Sequence, residues 1–221
     1  MKVILTGATG MVGEGVLFEC LENSAVTDVL IVGRKPYNLK HPKLSECIVS
    51  DFLKTDEYAD ELKGYDACFY CAGISSIGMD EARYTTITYD TTMAFARCVF
   101  ARNPKMVFNY VTGRSTDSTA QGKVMWARVK GKTENSLMEL GFKGQYNFRP
   151  ALMLPTKGQK SVRTSIKIAS DILKYIMPKS TITLKVLGQA MINAVVKGYP
   201  RQVLEVADIR ILADGKSNPA V

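Results

Sequence analysis

The chain of 221 residues holds one histidine, His41, and one tryptophan, Trp126. A lone histidine and dispersed cysteines supply no set of metal ligands, so no metal centre is expected. Cys68 and Cys71 do form a C-x-x-C, but they fall on Ala67-Cys68-Phe69-Tyr70-Cys71, an apolar run that reads as a strand. Their odd spacing turns them to opposite faces. With Cys20, Cys47 and Cys98 they are read as buried, reduced thiols. No apolar run approaches the ~20 residues a membrane helix needs. Met1-Lys2 leads straight into an apolar segment without the pattern of a signal peptide. The expectation is a cytoplasmic protein that does not enter the membrane. Repeats and low-complexity tracts are missing, and with 46 % apolar and 23 % charged residues a folded core is expected rather than disorder. Acidic residues are outnumbered, and the net charge of +8 favours anionic ligands. The basic residues are scattered over many predicted helices without interleaved aromatics, so nucleic acid is not expected as a partner.

What is present is regular alternation. Strands are predicted at Lys2–Thr6, Asp28–Val32, Glu46–Val49, Ala67–Cys71, Met106–Val111 and Gln145–Phe148. Helices are predicted at Met11–Asn23, Asp56–Leu62, Asp80–Arg102, Gly122–Leu140, Arg163–Met177 and Lys185–Val196, with a short strand at Gln202–Val206 and a frayed tail from Gly215. Alternation of this kind implies βαβ crossovers and an α/β, Rossmann-like doubly wound parallel sheet. The strand runs are almost continuously apolar, as expected when both sheet faces are covered. Residues 1–155 read as the core unit and 156–221 as a small C-terminal lobe packed on it as one domain. The stripe Ile166, Ala169, Ile172, Leu173 and Ile176 reads as a core-facing helix, with a partner or membrane surface as the other reading.

The sharpest motif lies at the N-terminus. Lys2-Val3-Ile4-Leu5-Thr6-Gly7-Ala8-Thr9-Gly10-Met11-Val12-Gly13 runs from a strand through a glycine turn into a helix. A pyrophosphate can approach such a turn because side chains are absent, and it meets free N–H groups at the positive end of a helix. Gly7, Thr9, Gly10, Met11, Val12 and Gly13 are therefore candidate dinucleotide-binding residues, with Gly13 letting the helix pack closely. The spacing G-x-x-G-x-x-G resembles that of the short-chain dehydrogenase/reductase superfamily, in particular its extended and atypical NAD(P)-dependent epimerase/dehydratase-like branches. The alternative is a strand–turn–helix corner whose glycines serve geometry alone.

The second predicted strand ends Ile31-Val32-Gly33-Arg34-Lys35-Pro36. An NAD-selective site places a carboxylate there to bind the ribose 2′-hydroxyl. Arg34 can instead fork onto a 2′-phosphate, with Lys35 adding charge. NADP(H) is the expected cofactor and NAD the lesser expectation, unless the two cations merely face solvent. The resemblance also implies that Asp51-Phe52 lies beside the adenine and that Cys71-Ala72-Gly73 lets backbone approach the adenosine ribose. Asp51 could equally cap a turn, and Gly73 could equally turn the chain.

In that superfamily the catalytic pair is Y-x-x-x-K on a helix, preceded by a Ser or Thr at the end of the fifth strand. The ammonium and the ribose lower the phenol's pKa, so that it trades a proton with substrate. Here Lys130 fits the lysine, which by the resemblance also binds the cofactor's ribose hydroxyls, Thr112 fits the hydroxyl with Ser115 as an alternative, and Trp126 stands where the tyrosine belongs. An indole N–H donates but does not titrate near neutral pH. Trp126 is then either a pocket wall or a buried aromatic. Tyr84, Tyr89 and Tyr110 are possible substitutes for the phenol, or core residues. Arg149-Pro150, followed by Ala151, resembles the R-P-G segment near the nicotinamide. Two functions follow: an oxidoreductase or epimerase/dehydratase-like enzyme on a small carbonyl or alcohol, or a non-catalytic NADP(H)-binding sensor or assembly protein. The substrate is not legible, and an oligomer stays open.

Overall fold

The computed structural model describes residues 1–162 and 180–216. The helix expected at Arg163–Met177 lies outside the described residues, as does the end of the tail.

A seven-stranded sheet forms from β1 (Lys2–Thr6), β2 (Asp28–Gly33), β3 (Leu44–Ile48), β4 (Ala67–Tyr70), β5 (Val107–Val111), β6 (Gly144–Phe148) and β9 (Val203–Leu204). Its order is β3-β2-β1-β4-β5-β6-β9, and every pair is parallel. Two further strands, β7 (Leu152–Leu154) and β8 (Thr181–Thr183), pair beside it. The helices are α1 (Met11–Glu22), α2 (Glu81–Thr85), α3 (Thr91–Arg102), α4 (Met125–Met138), α5 (Leu184–Lys197) and α6 (Val206–Ala213). This is a doubly wound α/β fold.

The period of two along each strand feeds two cores. Val3 and Leu5, Val29 and Ile31, and Ala67 and Phe69 point to one face, where they meet Val16 and Leu17 of α1 and Leu187 and Met191 of α5. Ile4, Leu30, Cys68, Tyr70 and Phe108 point to the other, against Phe95 and Val99 of α3 and Leu137 of α4. Cys68 and Cys71 thus face opposite cores, and all five cysteines are free. Residues 180–216 add the edge strand β9 to the sheet, and α5 packs across α1, where Gly188 lies so close that a Cβ would stand 2.7 Å from Glu19.

Several expected elements differ. The stretch expected as a helix at Asp56–Leu62 is a 3₁₀ helix over Phe52–Tyr58. The single helix expected over Asp80–Arg102 is interrupted by a π-helical turn at Thr86–Asp90. Gly122–Leu140 narrows to α4, because residues 113–122 form a loop fastened by Asp117. Of the strand expected at Gln202–Val206 only β9 forms, and Val206 instead opens α6.

Candidate functional site

The winding direction reverses between β1 and β4, and in open α/β sheets ligands bind outside the strands' carboxyl ends at such a point. A cleft of about 410 Å³ lies there. Its walls are Gly7–Gly10 after β1, Ile31–Lys35 at the end of β2, Ser50–Phe52 after β3 and Tyr70–Ile74 after β4, with Ile87 and Thr91 from the π-turn region. Of the proposed cofactor residues, Gly7, Thr9, Gly10, Arg34, Lys35, Asp51, Phe52, Cys71, Ala72 and Gly73 all line it.

The glycines divide into two kinds. Gly7 has φ +76°, and a Cβ there would stand 2.7 Å from the Cys71 carbonyl and the Ala72 nitrogen. A Cβ on Gly13 would come within 2.2 Å of the Gly7 carbonyl oxygen. These two serve close approach of backbone to backbone. Gly10, Gly33 and Gly73 have no positive φ. An added Cβ would meet only the Gly7 oxygen at 3.4 Å, the Lys35 oxygen at 3.6 Å and nothing within 4 Å, respectively. Neither conformation nor packing demands a glycine at these three positions, and all three line the cleft. Their shared effect is open space beside backbone, which a nucleotide phosphate or ribose requires. Gly10 is also the N-cap of α1, and no side chain caps that turn, so its leading N–H groups and the positive end of the dipole remain for an anion. The residues present fit a dinucleotide.

Met11, Val12 and Gly13 do not line the cleft. The side chains of Met11 and Val12 pack against the core, which leaves them only their backbone as a contribution. Arg34 and Lys35 are exposed, and neither makes a side-chain hydrogen bond or ion pair with the described residues. Asp51 both lines the cleft and caps the 3₁₀ helix, accepting from the Leu53 N–H at 2.9 Å. Phe52 is stacked on Phe95, with ring centroids 5.4 Å apart. Burial pushes the Cys71 thiol above its ordinary range. The sequence reading passed over Thr6, whose fully buried hydroxyl accepts from the Ala72 N–H at 3.1 Å and ties the ends of β1 and β4 together. A hydroxyl closing an apolar strand was the available signal.

The expected catalytic residues are arranged otherwise than expected. Thr112 is buried, and its hydroxyl donates to Glu134 Oε1 at 2.6 Å. The same carboxylate pairs with the guanidinium of Arg149, which also donates to Ser118 Oγ at 2.7 Å. Arg149 therefore anchors β6 to α4, and neither it nor Pro150 lines the cleft. The Pro150 carbonyl accepts from the Arg114 N–H at 2.9 Å. Lys130 Nζ donates to the Thr112 carbonyl at 2.9 Å, and burial lowers its pKa against the opposing pull of Glu134. Trp126 is half-buried on the first turn of α4. None of the alternative phenols faces the cleft. Tyr84 and Tyr110 are buried core residues, and the Tyr89 hydroxyl shares a hydrogen bond with Ser136 at 3.1 Å. Glu134, the hub of this cluster, was missed. It stands one turn beyond Lys130 and two beyond Trp126, on the same helix face.

Comparison with known proteins gives a consistent result. Rat protein HTATIP2 is 28 % identical over 155 residues, 69 % of this chain and 63 % of that protein. Leucinostatins biosynthesis cluster protein T of Purpureocillium lilacinum is 28 % identical over 181 residues, 80 % of this chain and 64 % of its own. The chain thus spans somewhat under two thirds of these relatives. Protein fmp52, mitochondrial, of Emericella nidulans is 24 % identical over 217 residues, 91 % of this chain and 90 % of that one. Among solved structures, the Bordetella bronchiseptica enzyme WbmH in complex with NAD+ superposes with TM-score 0.67 at 17 % identity, covering 92 % of this chain and 74 % of that one. UDP-glucose 4-epimerase of Thermotoga maritima gives 0.66 at 14 %, covering 97 % and 82 %. At such identities these structures show the fold alone. The model of one family matches residues 3–123, from β1 through the cleft-lining segments to just before α4. By that match, which takes in more than half of its length, the chain belongs to the NAD dependent epimerase/dehydratase family.

Proposed function

We propose that the chain binds NADP(H) in the cleft at the β1/β4 switch point and acts as an NADP(H)-binding sensor or regulatory protein. The preference for the 2′-phosphate is supported by Arg34 and Lys35 standing at the cleft without an ion-pair partner among the described residues, where an NAD-selective site would hold a carboxylate. A bound nicotinamide would supply hydride chemistry. The usual carbonyl reduction also needs a hydroxyl and a titrating acid from the protein. The observation that carries the regulatory reading is Thr112, whose hydroxyl is donated to buried Glu134, with Trp126 in the tyrosine's place. The second reading is an oxidoreductase or epimerase/dehydratase-like enzyme on a small carbonyl or alcohol. It is favoured by Lys130, whose Nζ stands at hydrogen-bond distance from the Thr112 carbonyl, and by the family to which the chain belongs.

Titration calorimetry with NADPH and NADH tests the cofactor assignment. Gly10→Val should abolish binding of both while the circular dichroism spectrum persists. Arg34→Ala should weaken NADPH about 10- to 150-fold, the scale of a charge-assisted hydrogen bond, and spare NADH. Equal weakening of both would remove Arg34 from 2′-phosphate recognition. Wild-type protein should not oxidise NADPH with a panel of aldehydes, ketones and quinones, and robust turnover on that panel would establish the enzyme reading. The cytoplasm is the proposed location, and fractionation is its check, since the Emericella relative is named as mitochondrial.

A further inference from the structure

The loop carrying Arg34 and Lys35 is gripped from two sides, and neither grip touches the cleft. From β3, Glu46 accepts the backbone N–H of Tyr37 on Oε2 at 2.9 Å and that of Asn38 on Oε1 at 3.1 Å. From α1, Glu14 Oε1 accepts the Tyr37 hydroxyl at 2.8 Å. Glu14 is fully buried, and its own N–H donates to the Gly10 carbonyl at 2.9 Å, so it belongs to the turn that frames the cleft. Its remaining acceptor capacity takes the N–H groups of Lys160 and Ser161, each at 2.9 Å, and the Ser161 hydroxyl at 2.5 Å.

Two consequences follow. Arg34 and Lys35 have long exposed side chains, so the fold can preset only the backbone from which they spring. Asn38 holds φ at 60°, a left-handed position that asparagine adopts readily, and Glu46 fixes the N–H groups of Tyr37 and Asn38 at that turn. The two carboxylates that hold this loop, Glu14 and Glu46, are also occupied by N–H and O–H donors. Neither is ion-paired with Arg34 or Lys35 among the described residues, which leaves both cations available to an anionic ligand.

Building on the NADP(H) reading, we propose that Tyr37 is a positioning residue for recognition of the 2′-phosphate. Its phenol, anchored on Glu14, and its backbone, anchored on Glu46, hold the Arg34–Lys35 segment in the geometry that ligand requires. Ordering in advance lowers the entropy lost on binding.

Tyr37→Phe removes a single hydroxyl. Dissociation constants for NADPH and NADH are measured by calorimetry for wild type, Tyr37→Phe, Arg34→Ala and the double variant. NADPH should weaken about 3- to 10-fold in Tyr37→Phe, the scale of one hydrogen bond, with NADH changed less than about twofold. In the Arg34→Ala background the same substitution should add less than about twofold, since only Lys35 is left for it to position. Glu46→Gln, which gives up one of two backbone acceptors, should lower the NADPH/NADH ratio in the same way and serves if Tyr37→Phe folds poorly. Equal loss for both cofactors, or an unchanged NADPH constant while Arg34→Ala still abolishes the preference, overturns the positioning role alone. A wild type without NADPH preference overturns the NADP(H) reading and this proposal with it.

Discussion

Glu14 and Arg149 are charged side chains at buried positions, and each is kept there by its donors and acceptors. For Glu14, burial pushes the pKa up, but hydrogen bonds from Ser161, Lys160 and Tyr37 outweigh it and hold the carboxyl below its ordinary range. A group whose pKa is depressed by folding adds stability that is complete above its unfolded value and is lost as pH falls through the folded one. Glu14→Gln keeps the shape and removes the charge. Its stability deficit in urea unfolding should therefore be full at pH 7 and shrink as the pH drops below about 4.3, the free glutamate value. A deficit independent of pH would show that the charge contributes nothing. Arg149→Ala would leave Glu134 buried without its counter-ion, at a cost of about 3–5 kcal/mol. The urea midpoint should fall accordingly, and an unchanged midpoint would mean water replaces the guanidinium. At this scale the sequence was legible where constraints are local. The glycine turn and the missing carboxylate at Arg34 could be read directly. The commitment of Thr112 could not, because its partner lies 22 residues away and only tertiary packing brings them together.

Among the elements, α4 depends most on contacts that pattern alone does not reveal. A Cβ at Gly131 would stand 1.7 Å from the Asp117 carbonyl oxygen. The loop opposite cannot yield easily. The Asp117 carboxylate accepts from the Thr119 N–H and hydroxyl and from the N–H groups of Gln121 and Gly122 at 2.6–3.1 Å. Gly131→Ala should therefore displace the helix and cost about 1–3 kcal/mol as overpacking, read as a lowered melting temperature. NADPH binding at the glycine cleft should be nearly unaffected. A full-stability variant would show that the Asp117 loop gives way instead. Long apolar runs made β1, β2, β4, β5 and β6 readable to within a residue or two, and α5 likewise. The three-residue strands β7 and β8 carry no periodicity long enough to read. The π-turn at Thr86–Asp90 also left no sign in the pattern, yet it lies where Ile87 and Thr91 reach the cleft. The Thr91 and Thr92 hydroxyls, donating to the Ile87 and Thr88 carbonyls at 2.5 and 2.6 Å, hold its irregular backbone.

Across the whole molecule, the cofactor half and the chemical half sit on different supports. The strand ends that form the cleft are fixed by the order of a parallel, doubly wound sheet; the alternation of elements foretold its parallel winding but not the order. The chemical half hangs on α4, whose face presents Trp126, Lys130 and Glu134 at successive turns, and Thr112, Lys130, Glu134 and Arg149 are hydrogen-bonded into one cluster. Trp126→Tyr tests whether that half can be restored. The phenol would stand one turn before Lys130, and a cationic amine at that place favours phenolate. The indole lies outside the cleft lining, so NADPH affinity should stay within about twofold of wild type. Reduction of generic carbonyls, followed as NADPH oxidation, should rise from none to a measurable rate. That gain would show that a phenol restores proton transfer and that the Thr112 hydroxyl can leave Glu134 once one is supplied, with the native site inactive, as the regulatory reading requires. If wild type already turns over and Trp126→Tyr changes nothing, the proton comes from another group, and the enzyme reading prevails. If both forms bind NADPH and reduce none of the panel, the missing element extends beyond the phenol. The Thr112 hydroxyl, donated to Glu134 at 2.6 Å, is then the group whose release has to accompany the new tyrosine.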